Sequence, residues 1–301
     1  MDHPHYRYSA LPSRPASALP PGLHVFVVLY LEHWAAEPAS DQVRDPRFVG
    51  EFGSFSPDYR SWTQREYGLR IGVFRLIEAL AQRGIRPTVA ANALVLDRVP
   101  EVLQALQSLQ PCWIAHGLQA TELMHTGMDR SAQAKHIEQA LQALQGSTGV
   151  QAAGWLSQDW GTTPDTYALL ADAGLSYTLD WVNDDQPYWM EAAGLSRRRL
   201  LALPLSNEWD DVQEQWMRHI EPADHAKHIL QAARTLADEC QTHERAAVMG
   251  LGLHPWVWGM PSRFKHLSSL LDALTTVPGL GWHTSDDLFD ATAPSLPKEH
   301  P

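Results

Sequence analysis

Apolar runs that stop abruptly on one polar residue recur along this chain. Val25-Phe26-Val27-Val28-Leu29-Tyr30-Leu31 ends on Glu32, Cys112-Trp113-Ile114-Ala115 on His116-Gly117, and Val248-Met249-Gly250-Leu251-Gly252-Leu253 on His254-Pro255. Uninterrupted apolar runs of this length read as strands of a parallel sheet covered on both faces. Between them the apolar period changes to that of helices. Val73, Leu76, Ile77 and Leu80 share one face of a segment that begins near Arg70 and stops at Gly84. Pro100 opens a helix to about Gln110, and Asp129 caps one through Leu144 that Gly146 closes. Thr163-Pro164 starts another that ends before Gly174, Pro222 one that reaches about Cys240, and a last helix covers 262–275. Further strands are expected at 87–92, 150–156, 177–182, 200–205 and 280–284. Strand and helix alternate without internal repeats, which predicts one α/β domain with a largely parallel sheet. No Gly-rich phosphate loop follows the first strand, so a barrel is favoured over an open nucleotide-binding sheet.

The boundaries follow from the breaks. Residues 1–22 read as an irregular arm, 23–290 as a single barrel domain and 291–301 as a Pro-rich flexible tail. Residues 33–68 carry many aromatic rings without a clear period, among them Trp34, Phe48, Phe52, Phe55, Tyr59, Trp62 and Tyr67. They are expected to form a long irregular loop that walls the site or anchors to the body.

Composition narrows the function. A chain of 301 residues that is 44% hydrophobic and 19% charged can bury a substantial core. Its formal net charge of -12 argues against nucleic acid or an anionic membrane as partner. Cys112 and Cys240 form no metal-type spacing and no disulfide framework, and neither a secretory signal nor a membrane span is evident. A cytoplasmic enzyme is the expectation, with homo-oligomerisation left open.

In barrels of parallel strands, residues at the C-terminal strand ends face the substrate. Glu32, His116 and His254 are therefore the candidate catalytic trio. Glu32 is the base if burial raises its pKa, His254 the acid, and His116 polarises a carbonyl or orients water. Asn92, at the end of the second strand, is a candidate oxyanion or substrate donor. Trp155 is either a stacking platform or a core ring, and Asp184, Asp185 and Tyr188 either position a polar substrate or belong to an Asx-type turn. His225 and His228, three apart on a helix, read as a solvated pair.

The set of motifs, in order, resembles the polysaccharide deacetylase-like (nodulation-deacetylase homology) family, and within it the allantoinase-like branch. The resemblance rests on Val28-Leu29-Tyr30-Leu31-Glu32-His33, Arg65-Glu66-Tyr67-Gly68, Gly72-Val73-Phe74-Arg75-Leu76 and His116-Gly117. It continues through Gly154-Trp155-Leu156, the stretch Asp180 to Tyr188, and Leu253-His254-Pro255. It implies a distorted (β/α) barrel of about seven parallel strands that hydrolyses an amide or ester, typically an N-acetyl group of an amino sugar. It also implies a divalent ion such as zinc, held by an aspartate and two histidines. Here Glu32 takes the ligand position, Ala120 stands where the second histidine is expected, and Trp155 replaces an arginine. Only Glu32 and His116 remain as metal ligands, with His33, Glu122 or His125 as candidates for a third, whereas catalytic zinc takes three protein ligands and water. His254 matches the late catalytic histidine, and Asp180-Trp181 the motif that usually orients that part of the site.

The expected function is hydrolysis of a non-peptide carbon–nitrogen bond in an N-acetylated sugar or small acetamide, so the expected partner is a small molecule or oligosaccharide. The alternatives are a metal-independent hydrolase of ureides or cyclic amides, and a barrel that binds a carbohydrate or metabolite without turnover.

Overall fold

A computed structural model describes residues 5–14, 17–37, 42, 57–191 and 199–293. Its strands are β1 (Gly22–Leu31), β2 (Thr88–Ala91), β3 (Cys112–Ala115), β4 (Gly154–Trp155), β5 (Tyr177–Thr178), β6 (Tyr188–Met190), β7 (Leu200–Ala202), β8 (Ala246–Leu253) and β9 (Leu280–His283). Its helices are α1 (Tyr59–Tyr67), α2 (Val73–Ala81), α3 (Ala93–Leu96), α4 (Pro100–Gln107), α5 (Arg130–Thr148), α6 (Thr166–Asp172), α7 (Pro222–Thr242), α8 (Pro261–Leu274) and α9 (Ser285–Thr292).

The strands form one sheet in the order β6-β7-β5-β4-β3-β2-β1-β8. Every pairing is parallel except that of β6 with β7. β8 takes one edge of β1, while β9 and β2 share the other, β9 beside Leu23–Phe26 and β2 beside Val28–Leu31. Beyond β6 and β8 the sheet closes through isolated contacts. Asp210 bridges to Gly252 near the end of β8. At the start of β8 the Val248 N–H donates to the Asp185 carbonyl at 2.8 Å, and Gln186 Nε2 to the Ala246 carbonyl at 3.0 Å. The result is the distorted barrel that the alternating pattern predicts.

All ten residues of β1 are buried, on two different faces. Leu23, Val25, Val27, Leu29 and Leu31 join the core under the helices, whereas Phe26, Val28 and Tyr30 fill the barrel interior. A strand covered on both sides has no polar face to show, which is why it reads as a continuous apolar run. The same two-residue period carries the inward face from Tyr30 to Glu32.

Several expectations are corrected. Residues 59–67 are helical rather than irregular: Asp58 caps α1 by accepting the Ser61 N–H, and a π-helical stretch, Gly68–Gly72, joins α1 to α2. Gly68 and Gly72 hid this continuity. A Cβ added at Gly72 would collide with the Pro255 carbonyl and come within 3.2 Å of Gly259 Cα, so any side chain there would push the helix off the loop after His254. Phe48, Phe52 and Phe55 lie outside the described residues. Gly149, with φ +74°, closes α5 in place of Gly146. β4, β5 and β7 have only two or three residues, shorter than their apolar runs. β6 and α9 have no counterpart among the expected elements, although the capping box of Thr284 and Asp287 marks the start of α9 in sequence.

The described part of the arm packs on its own chain. Tyr6 stands edge-on to Trp181 and Tyr188, Arg14 pairs with Asp184 at 2.6 Å, and the Glu191 N–H donates to the His5 carbonyl. No described helix is long and apolar enough to cross a membrane.

Two substitutions to alanine separate helix propensity from close approach. Gly72→Ala should cost about 1–3 kcal/mol of unfolding free energy because the backbone behind it must shift. Gly146→Ala, whose new methyl meets nothing within 4 Å, should stabilise the chain by about 0.5–1 kcal/mol. Urea denaturation of both variants checks the pair.

Candidate active site

The C-terminal ends of β1, β3 and β8 bring Glu32, His116 and His254 together. His116 Nε2 lies 3.6 Å and His254 Nε2 3.9 Å from the two carboxylate oxygens of Glu32. All three side chains are buried. His116 Nδ1 lies 2.7 Å from the Leu156 carbonyl, which fixes it as a donor and leaves Nε2 as the acceptor in the neutral ring. That buried Nε2 has no hydrogen-bond partner, and it faces Glu32 Oε1. Two buried acceptors confronting each other call for a donor that both can share.

His254 is held from behind by a residue the sequence reasoning missed. Its Nδ1–H donates to Asp211 Oδ1 at 2.6 Å and its backbone N–H to Asp211 Oδ2 at 2.9 Å. Its ring stacks on Tyr30, with centroids 3.8 Å apart and planes 11° from parallel. Asp210 sits beside the pair, with Oδ1 accepting the N–H groups of Val212 and Gln213 at the start of a second π-helical stretch, Val212–Met217. The approach of the Asp210 carboxylate to β8 requires Gly252, whose Cβ would collide with Oδ2. The only signal for these residues in sequence is an adjacent acid pair between the seventh strand and the following helix.

Burial opposes charge on His254, Glu32 and Asp210, and the charges beside each of them decide the outcome. Burial alone would depress His254, but Asp211, Asp210 and Glu32 raise it to about 9. Burial alone would raise Glu32, but His254, then His116 when its ring carries a proton on Nε2, and the Gln158 hydrogen bond lower it to about 2. The expectation of a raised Glu32 is thus reversed, because an imidazolium stands beside it. Asp210 stays at about 6, pushed up by burial against the pull of His254.

The other residues singled out in sequence fall into two groups. Asn92, wholly buried, braces the rim from behind: its Nδ2 donates to the His116 carbonyl and to Gln158 Oε1, and its Oδ1 accepts the His33 N–H. Trp155 is a core ring whose Nε1 donates to Ser157 Oγ, so it offers no face to a ligand. Asp180 accepts the backbone N–H and the hydroxyl of Ser157. His254 is oriented by Asp211, while Asp180 holds the turn after β4. Burial raises Asp180 to about 6.

Asp184, Asp185 and Tyr188 are not brought to this rim. The 185–186 segment bonds to the first residues of β8, about 20 Å down the strand from His254 at the usual rise per residue. There Asp184 holds Arg14 and caps the Gln186 N–H, as an Asx-type turn does, and Tyr188 donates to Asn183. His225 is buried and stacked on Trp258 whereas His228 is exposed, so they form no pair.

The expected third metal ligands turn elsewhere. Glu122 faces His136, His125 Nδ1 accepts the Gly127 N–H, and the His33 ring lies against Arg98. Among the described residues one trio could hold an ion: ligand atoms of Asp210, Asp211 and His254 all lie within 4.8 Å of one another. Asp210 Oδ2 has no hydrogen-bond partner, but the ligand atoms of the other two residues are already engaged. Both oxygens of Asp211 accept N–H groups of His254, and an ion there would meet a protonated Nδ1. Neither donor set fits a zinc centre, which needs about three free protein ligands.

No family model matches the chain. A putative polysaccharide deacetylase of Schizosaccharomyces pombe is 23% identical over 247 residues, 77% of this chain and 76% of that protein. Among solved structures, that of Puue Allantoinase has a TM-score of 0.84 at 21% identity, covering 99% of both chains. A probable polysaccharide deacetylase of Pseudomonas aeruginosa has a TM-score of 0.79 at 21% identity, covering 95% of this chain and 96% of that one. One from Mycobacterium smegmatis has 0.71 at 19%, covering 93% and 95%. The chain thus shares its fold with polysaccharide deacetylase and allantoinase structures, as its motifs lead one to expect.

Proposed function

We propose that this chain hydrolyses a non-peptide carbon–nitrogen bond without a bound metal, and that its substrate is a small ureide or cyclic amide. The observation that carries this reading is the pair of buried acceptors facing each other at 3.6 Å, Glu32 Oε1 and His116 Nε2, beside a protonated His254. A water that donates to both acceptors keeps its lone pairs free for a carbonyl carbon. Held near 2, Glu32 is a poor base. The proton of the attacking water therefore passes to His116 Nε2, and the Glu32 carboxylate stabilises the imidazolium that forms. His254 Nε2–H then donates to the leaving nitrogen as the carbon–nitrogen bond breaks, while Asp211 fixes the ring through Nδ1. The long fold match to an allantoinase supports the ureide class. The sequence relative, a putative polysaccharide deacetylase, supports a second reading, an N-acetylated sugar or small acetamide. We place the enzyme in the cytoplasm, with no nucleic-acid partner, on its charge and free thiols.

Product release from allantoin, other ureides and N-acetylglucosamine oligomers should be assayed with and without a chelator. Turnover of a ureide that survives chelation is the expected result; activity that is lost with EDTA and restored by zinc sinks the metal-free reading. His254→Ala and Asp211→Asn should each lower kcat on the order of 100-fold or more, with circular dichroism unchanged. A barrel that only binds would show a ligand by calorimetry and no turnover in any of the three proteins.

The pH dependence has a definite sign. His254 is raised from 6.5 to about 9 in the fold, so its stabilising contribution is complete below 6.5 and disappears as pH rises through 9. Glu32, lowered from 4.5 to about 2, contributes fully above 4.5 and fails only as pH falls towards 2. Melting temperature should therefore decline from pH 6.5 to 9 in the wild type and decline less in His254→Gln. The activity of the wild type should fall over the upper end of the same range.

A further inference from the structure

The turn after β4 is built to aim one side chain, that of Gln158. Asp159 and Trp160 both hold left-handed backbone, with φ of +47° and +52°. A Trp in that region is unusual and persists only where its surroundings enforce it. Asp180 grips the turn at the Ser157 N–H and hydroxyl, and Gln213 Nε2 donates to Asp159 Oδ1. Gln158 itself is buried, and its Nε2 donates to Glu32 Oε1 at 2.6 Å.

The orientation of its carboxamide is dictated by neighbours of fixed polarity. The backbone N–H of His33 can only donate, so it takes Asn92 Oδ1. Asn92 Nδ2 is then the donor to Gln158 Oε1, which leaves Gln158 Nε2 to meet a carboxylate that can only accept. A partial positive charge is thus pointed at the oxygen that also faces the lone pair of His116 Nε2. A divalent cation would seek that same corner between two acceptors.

We propose that Gln158 is a positioning residue of the candidate site, its carboxamide N–H fixing the Glu32 carboxylate opposite His116 where a cation would otherwise be coordinated. This deepens the reading of the site as a metal-free amide hydrolase and rests on it for its catalytic consequence. Asn92 acts one step further back, by setting the direction of the Gln158 amide.

The test counts zinc whose uptake depends on Glu32, by isothermal titration of zinc chloride into the wild type, Gln158→Glu, and each combined with Glu32→Gln. The expected count is zero for the wild type and one per chain for Gln158→Glu, in which a third ligand replaces the amide donor. One Glu32-dependent zinc in the wild type, or none in Gln158→Glu, overturns the proposal. In turnover, Gln158→Ala should lower kcat about 10- to 100-fold, with KM within about threefold and melting temperature nearly unchanged; an unchanged kcat overturns it as well. A wild type that turns over no amide would sink the proposed function, while the zinc count would still decide the role of Gln158.

Discussion

A buried imidazolium clamped between carboxylates is the interaction on which the rest of this structure depends. Charges removed from water are strongly unfavourable unless each meets a counter-charge and its hydrogen bonds are made. Asp211 meets both requirements for His254, through Nδ1 and through the backbone N–H, and Glu32 faces the other ring nitrogen. The same charges then hold Glu32 ionised against its own burial. Removing any one of the three leaves a stranded charge, so the cluster acts as a unit.

Much of the surrounding architecture brings these groups close. Tyr30 covers one face of the His254 ring, Gly252 lets Asp210 reach β8, and Gly72 lets the long helical segment lie on the loop after His254. Both π-helical stretches adjoin this corner. One packs behind the Pro255–Gly259 loop and the other begins directly after Asp211. A π turn re-aims a helix by one residue without ending it, which suits positions where the geometry of a site overrides regular pairing.

The opposite end of the barrel carries a different task. Asp184, Asp185, Gln186 and Tyr188 close the gap between the outer strands and dock the arm. Polar residues after a strand look alike in sequence whether they face a ligand or seal an edge. Only the hydrogen bonds to Val248 and Ala246 reveal which end of β8 they occupy.

The sequence by itself determined the strand ends and the alternation of strand and helix. Burial on both faces forces continuous apolar runs, and such runs can stop on Glu32, His116 and His254 only where the sheet meets its rim. It also determined Asp129 as a cap and Asn92 as a strand-end residue, since caps and strand ends leave local marks. The tertiary structure alone decided the electrostatics. Whether Glu32 rises or falls depends on His254, which is more than 200 positions away in the chain. Asp211 and Gln158 carry no local pattern, because their roles come from partners that other strands supply. Periodicity encodes which face of an element is buried; it does not encode which buried charges will meet.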